Sequence, residues 1–138
     1  MALRKNAKLV LLKGVPLFAH CSRRELEEIG KIADELDFRE GKELTREGSR
    51  GREFFVLLEG TAEVTQGKRK IAALSDGDFF GEIALVTDVP RTATVTTVSP
   101  VRALVITDRS FKRLLERFPQ VQLKVLRALA ARIEPQVP

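Results

Sequence analysis

Glu82 and Arg91 are an acid and a permanent cation nine positions apart, and Gly81 stands directly before the acid. They lie in the stretch Asp76-Gly77-Asp78-Phe79-Phe80-Gly81-Glu82-Ile83-Ala84-Leu85-Val86-Thr87-Asp88-Val89-Pro90-Arg91-Thr92-Ala93-Thr94-Val95. A glycine lets the backbone come close to a ligand. Glu82 to Leu85 fits one helical turn, whose unpaired N–H groups suit a phosphate. Arg91 offers a planar, always-charged fork to phosphate oxygens. Glu82 would repel a phosphate, so its natural ligand partner is a hydroxyl donor such as a ribose. A carboxylate for a sugar and an arginine for a phosphate, bridged by a tight turn, describe a nucleotide clamp. The same pair also fits a structural ion pair across a loop, and the residue types leave both readings open.

Other chemistry finds less support. Cys21 beside His20 has the residue types of a nucleophile and a base. Chain neighbours seldom point at one another, so a half-buried pair at the start of a helix is the preferred reading. The single His provides no metal-ligand cluster, and hydrolysing a phosphodiester wants metal ions or a positioned base. The chain is therefore not expected to be an enzyme or to carry a cofactor. One cysteine excludes an internal disulfide and fits a reducing, cytoplasmic setting. No apolar run is long enough to cross a bilayer. Leu9-Val10-Leu11-Leu12, after a basic start, is too short for a secretion signal. The net charge of +5 comes from Lys and Arg scattered among Asp and Glu, which favours a solvated surface over a nucleic-acid footprint.

The elements that must hold the clamp follow from periodicity. Ser22-Arg23-Arg24-Glu25 has capping-box spacing, and Leu26, Ile29 and Ala33 follow at helical intervals. Gly14 to Phe18 reads as a turn with an apolar anchor. Glycines then punctuate β-prone runs at Glu53–Leu58, Thr61–Thr65, Lys70–Leu74, Thr92–Val98 and Val101–Ile106, with a polar hairpin at Thr65–Arg69. Asp108 caps a helix with Phe111, Leu114, Leu115 and Phe118 on one face. Pro119 breaks it or opens the next, in which Val121, Val125, Leu129 and Ile133 recur until Pro135. The expected class is α+β in one domain, 1–138: helices over 1–37, an antiparallel sandwich or barrel over 38–107, and two C-terminal helices over 108–134.

The central stretch resembles the phosphate-binding cassette of the cyclic nucleotide-binding domain family. That family includes regulatory subunits of cyclic AMP-dependent protein kinase, cyclic nucleotide-gated channels and catabolite activator proteins. The matching pattern is Phe80-Gly81-Glu82-Ile83-Ala84-Leu85 followed by Pro90-Arg91-Thr92-Ala93-Thr94-Val95. The likeness runs from Leu17-Phe18 through Glu47-Gly48, Phe54 to Gly60 and Gly77-Asp78 to the last helix. It implies a jelly-roll β-barrel and a regulatory module that binds a cyclic nucleotide. In that reading Glu82 accepts the ribose 2′-hydroxyl and Arg91 pairs with the exocyclic phosphate oxygens. Amides near Ala84 and Leu85, with Thr92, complete the phosphate shell, and Phe80, Gly81, Ile83 and Ala93 belong to the same cassette. Val64 and Ile71 would wall the base, or else are plain core. Arg132 would lie over the purine, or else is a solvated helix-end cation.

Thr92 bears on base choice, because a hydroxyl after the arginine favours guanine in some relatives, while others that carry one keep adenine. Cyclic AMP is preferred, with cyclic GMP the second candidate. Ligand capture is expected to move the last helix, with Leu129–Ile133 as a lid. Nothing after Pro138 resembles the DNA-reading segment of the activators, so direct DNA binding is not expected, nor is a membrane. The output partner is an unidentified effector protein or fused effector domain, and a homodimer stays open. Two other readings are a protein-interaction module that keeps the fold without cyclic nucleotide signalling, and the sensor fragment of a larger transcription regulator.

Overall fold

Helices and strands separate cleanly along the chain. The computed structural model describes residues 4–131, and these fall into two units. One is helical and combines the chain up to Ile32 with the chain from Ser110 on; the other, Ala33–Arg109, holds the strands.

The helical unit contains α1 (Lys5–Lys13), a 3-10 turn at Pro16–Phe18, α2 (Arg23–Lys31), α3 (Asp108–Arg117) and α4 (Pro119–Ala131). The expected capping box starts α2: the Ser22 N–H donates to Glu25 Oε1 at 2.7 Å, and the Glu25 N–H donates to Ser22 Oγ at 3.2 Å. Glu25 also forms an ion pair with Lys124 of α4 while its own side chain is 6% exposed. Leu12, Leu17, Phe18, Ile29, Phe111 and Val121 are fully buried, and the Phe18 and Phe111 rings meet at 5.7 Å. Each such side chain contributes roughly 1.5–3 kcal/mol through burial. Pro119 opens α4, where its missing N–H leaves no helical bond unmade. Among the described residues no helix is long and apolar enough to cross a membrane.

The helical expectation for 1–37 runs too far. Lys31 ends α2, and Asp34–Phe38 is a strand, β1. Its sequence, Asp-Glu-Leu-Asp-Phe, has poor strand propensity. Tertiary charge pairing overrides that, because β1 lies antiparallel to β8 (Val101–Thr107) and Arg102 there reaches Glu35 at 2.9 Å and Asp37 at 3.5 Å.

The remaining strands are β2 (Glu43–Thr45), β3 (Glu53–Glu59), β4 (Ala62–Gln66), β5 (Arg69–Leu74), β6 (Phe79–Phe80) and β7 (Thr94–Thr97). They form two four-stranded antiparallel sheets in the orders β1-β8-β3-β6 and β2-β7-β4-β5. The pattern left a sandwich or a barrel open; the two sheets form separate ladders and do not close into the jelly-roll barrel that the family resemblance implied. β6, two residues long, ends its sheet before a ladder to the other can form. The inner faces meet through Leu57, Ala62, Val95, Val101 and Ala103, with Phe38, Leu44, Val64, Leu74 and Phe80 packed around them. Phe54 to Leu57 of β3 are buried without a break, so both faces of this strand are covered. The β6 phenylalanines account for part of that: Phe80 stacks on Phe55 at 4.8 Å, and Phe79 meets Phe54 edge-on at 6.1 Å. β4 and β5 carry a bulge, since Val64 pairs with Ala72 but Thr65 pairs with Lys70, leaving Ile71 as the extra residue.

Candidate functional site: an arginine slot beside a 3-10 turn

The stretch between β6 and β7 folds around Gly81. Its φ of 84° is left-handed, which a side chain would resist, and it starts the 3-10 turn Glu82–Leu85. Ala84 N–H donates to the Gly81 carbonyl at 3.1 Å, and the Val86 and Thr87 N–H groups donate to the Ile83 carbonyl. Ala84 and Leu85 are buried and anchor this turn, which lies against β3. Glu82 and Ile83 are half-buried at its start.

Arg91 is fixed by backbone and side chain together. Its N–H donates to the Ser49 carbonyl at 2.8 Å, and its carbonyl accepts from the Gly48 N–H at 2.9 Å. Next to it, Arg50 and Pro90 form a β-bridge, and Arg50 meets Asp88 in an exposed ion pair at 3.0 Å. The Arg91 side chain turns inward and donates from Nη2 to the Glu53 carbonyl. It lies between two glycines: a Cβ at Gly51 would fall 2.0 Å from Arg91 Nε, and one at Gly81 would fall 2.4 Å from Nη1. Burial pulls the guanidinium below its ordinary pKa, and the Glu53 carboxylate offsets part of that. An arginine starts so high that the charge remains. A cavity of about 240 Å³ opens along this flank, lined by Thr45, Ser49, Gly51, Glu53 and Arg91 among others. A larger depression of about 310 Å³, in the helical unit beside Glu25 and Phe118, contains no residue of the Gly81–Arg91 stretch.

The other expected site residues are placed as follows. Thr92 is exposed, and its carbonyl accepts from Gln66 Nε2 at 3.1 Å; the Ala93 carbonyl accepts from Thr45 Oγ1 at 3.2 Å. Phe80 is spent on Phe55 and the sheet core. Val64 is half-buried against that core, whereas Ile71 is 46% exposed at the bulge. Arg132 lies outside the described residues, as does the end of the expected lid. The structure thus brings Gly81 and Arg91 into contact, with Glu82 next in the chain. It adds Gly48, Ser49, Gly51 and Glu53, which the sequence reading had not assigned to the site. The only signal for them was the glycine-rich run Gly48-Ser49-Arg50-Gly51.

All of the strand unit but its first two residues, together with α3, falls inside one matched segment, residues 35–118, which fits the family model described as Cyclic nucleotide-binding domain. The chain belongs to the cyclic nucleotide-binding domain family. Its similarity to a cAMP-dependent protein kinase regulatory subunit of Mycosarcoma maydis is 40% identity over 116 residues, covering 75% of this chain and 22% of that protein. A cGMP-dependent protein kinase, isozyme 2 forms cD5/T2, of Drosophila melanogaster is 34% identical over 119 residues, covering 80% of this chain and 13% of that protein. The chain therefore spans about a fifth or less of these two kinase proteins. Among solved structures, the N-terminal domain of a transcriptional regulator from Streptomyces coelicolor A3(2) superposes with a TM-score of 0.83 at 27% identity, covering 91% of this chain and 94% of that one.

Proposed function

We propose that the chain is a regulatory module that captures one cyclic nucleotide, cyclic AMP in preference to cyclic GMP, and acts by binding rather than by turnover. The observation that carries this is Arg91: half-buried, still charged, held in a two-glycine slot beside the turn that begins with Glu82. The guanidinium meets the cyclic phosphate and Glu82 accepts the ribose 2′-hydroxyl, so each charge faces ligand chemistry of the opposite polarity. Thr92 adds a hydroxyl at the cassette's exposed end. The preference for cyclic AMP is supported by the 40% identity to a cAMP-dependent kinase regulatory subunit; cGMP-dependent kinases are also similar, at 34% identity. The effector is an unidentified protein or domain, with neither DNA nor a membrane as direct partner. The lone buried Cys21 supports a cytoplasmic setting.

Calorimetry with cyclic AMP, cyclic GMP and AMP tests capture and preference together. One site per chain and tighter binding of cyclic AMP are expected; no heat with either cyclic nucleotide at millimolar concentration overturns the reading. Incubation with cyclic AMP is expected to yield no AMP. Capture is coupled to α4 only if the ligand has different affinities for two states of that helix. Hydrogen exchange with and without cyclic AMP reads this: protection is expected to rise in Gly81–Thr92 and in the α4 amides from Leu123 on. A rise confined to the cassette removes the helix from the mechanism.

A further inference from the structure

We infer that Gly51, on the loop between β2 and β3, is a positioning residue of the phosphate clamp; the inference rests on the cyclic nucleotide reading and extends it to a residue forty positions from Arg91. Two kinds of glycine share this loop. Gly48 has a φ of 84° and nothing within 4 Å of where a Cβ would be, so its requirement is backbone conformation. Gly51 is the reverse. It is buried and is not among the positive-φ glycines, so alanine meets no backbone strain there. What alanine meets is Arg91, with Nε at 2.0 Å, Cζ at 2.3 Å and Cδ at 2.6 Å from an ideal Cβ. These three nearest atoms all belong to the far end of one flexible side chain. The cheapest response to a methyl group is therefore for the arginine to leave its slot while the fold stays. Absence of a side chain at Gly51 sets the plane of the guanidinium, and Gly81 and the Glu53 carbonyl hold its other side.

The test compares Gly51→Ala with Gly48→Ala on the full chain. For Gly51→Ala, cyclic AMP affinity is expected to fall by roughly tenfold to a hundredfold, the scale of a misdirected charge-assisted contact. Its ligand-free melting temperature stays within a few degrees of the parent, and the Arg91 Nε–Hε NMR resonance moves without ligand. Gly48→Ala, whose cost is backbone strain at a φ of 84°, is expected to lower the melting temperature instead. In an Arg91→Lys background, Gly51→Ala is expected to cost less than about threefold, because the fork it displaces is already gone. Equal affinity of Gly51→Ala and the parent, or an equal loss in both backgrounds, overturns the inference while the parent's own binding upholds the functional reading. If the parent itself binds no cyclic nucleotide, the functional reading fails, and the Arg91 resonance alone decides whether Gly51 sets the side chain.

Discussion

Glu25 and Arg91 are both charged side chains drawn out of water, and the two units treat them in opposite ways. Burial alone would push the Glu25 carboxyl up; hydrogen bonds from Lys124 and Ser22, with the charge of Lys124, outweigh it and hold the carboxyl below its ordinary value. Its Oε1 accepts from the cap and from Lys124 at once. For Arg91 burial is the largest influence and is only partly offset, by Glu53. A guanidinium has five N–H donors, and among the described residues the structure commits Nη2 alone to a hydrogen bond. The Glu25 carboxylate is met by two donors at one oxygen, whereas the Arg91 guanidinium, the group proposed to meet a ligand, keeps donor capacity. Neither fact is visible from residue type.

The sharpest way to break this contrast is to remove each charge and ask where the loss appears. Arg91→Ala is expected to weaken cyclic AMP by roughly 2–4 kcal/mol, with Arg91→Lys recovering only part, because an ammonium lacks the planar fork. Ligand-free stability should change by less than about 1 kcal/mol, since a partly desolvated charge leaves with it. Calorimetry and a denaturant melt on the same variants measure both. Normal binding by Arg91→Ala would dissolve the comparison by making its charge structural after all.

Lys124→Met is expected to show the opposite pattern, a loss of about 2–3 kcal/mol in the melt of the ligand-free chain, because it strands a buried carboxylate. The pH dependence sharpens this. With its folded pKa depressed, Glu25 contributes stability that is present above the unfolded value, ordinarily 4.5, and is lost as pH falls through the folded one. Glu25→Gln should remove that acid-side component from a melt series at falling pH. An unchanged profile would show that the ion pair contributes nothing net.

The smallest expected effect is at Thr92. Its exposure leaves the hydroxyl available at the cassette rim. Thr92→Ala is expected to lower cyclic GMP affinity by about threefold to tenfold, the scale of one neutral hydrogen bond, and cyclic AMP affinity by less. Equal losses would assign the hydroxyl to phosphate alone.

What the sequence made legible depended on whether the information was local. The capping box of α2 and the short helical turn at Glu82–Leu85 are decided within a few residues, and both appear where expected. The apolar runs of β3 and β8 declare themselves by composition, and their ends agree to within a residue. β1 was hidden because its acidic residues pair with Arg102, more than sixty positions away, and its backbone ladder is with β8, equally distant in the chain. β2 and β6 were too short to show a period. Gly51 was invisible as a site residue for a different reason: its contribution is an absence of atoms, and only the placed arginine shows what the space is for.

The bulge at Ile71 has a consequence for how copies of this chain meet. β5 is the last strand of its sheet and is exposed from Arg69 to Ala73, so its outer backbone groups form an open template for another strand. A second β5 laid alongside in parallel would bring Lys68, Arg69 and Lys70 of one copy near those of the other, and in either direction its ladder would run into the bulged residue Ile71. Like charge and broken register thus guard the same edge. That guard lets an isoleucine stand 46% exposed on the strand without making it a seed for aggregation.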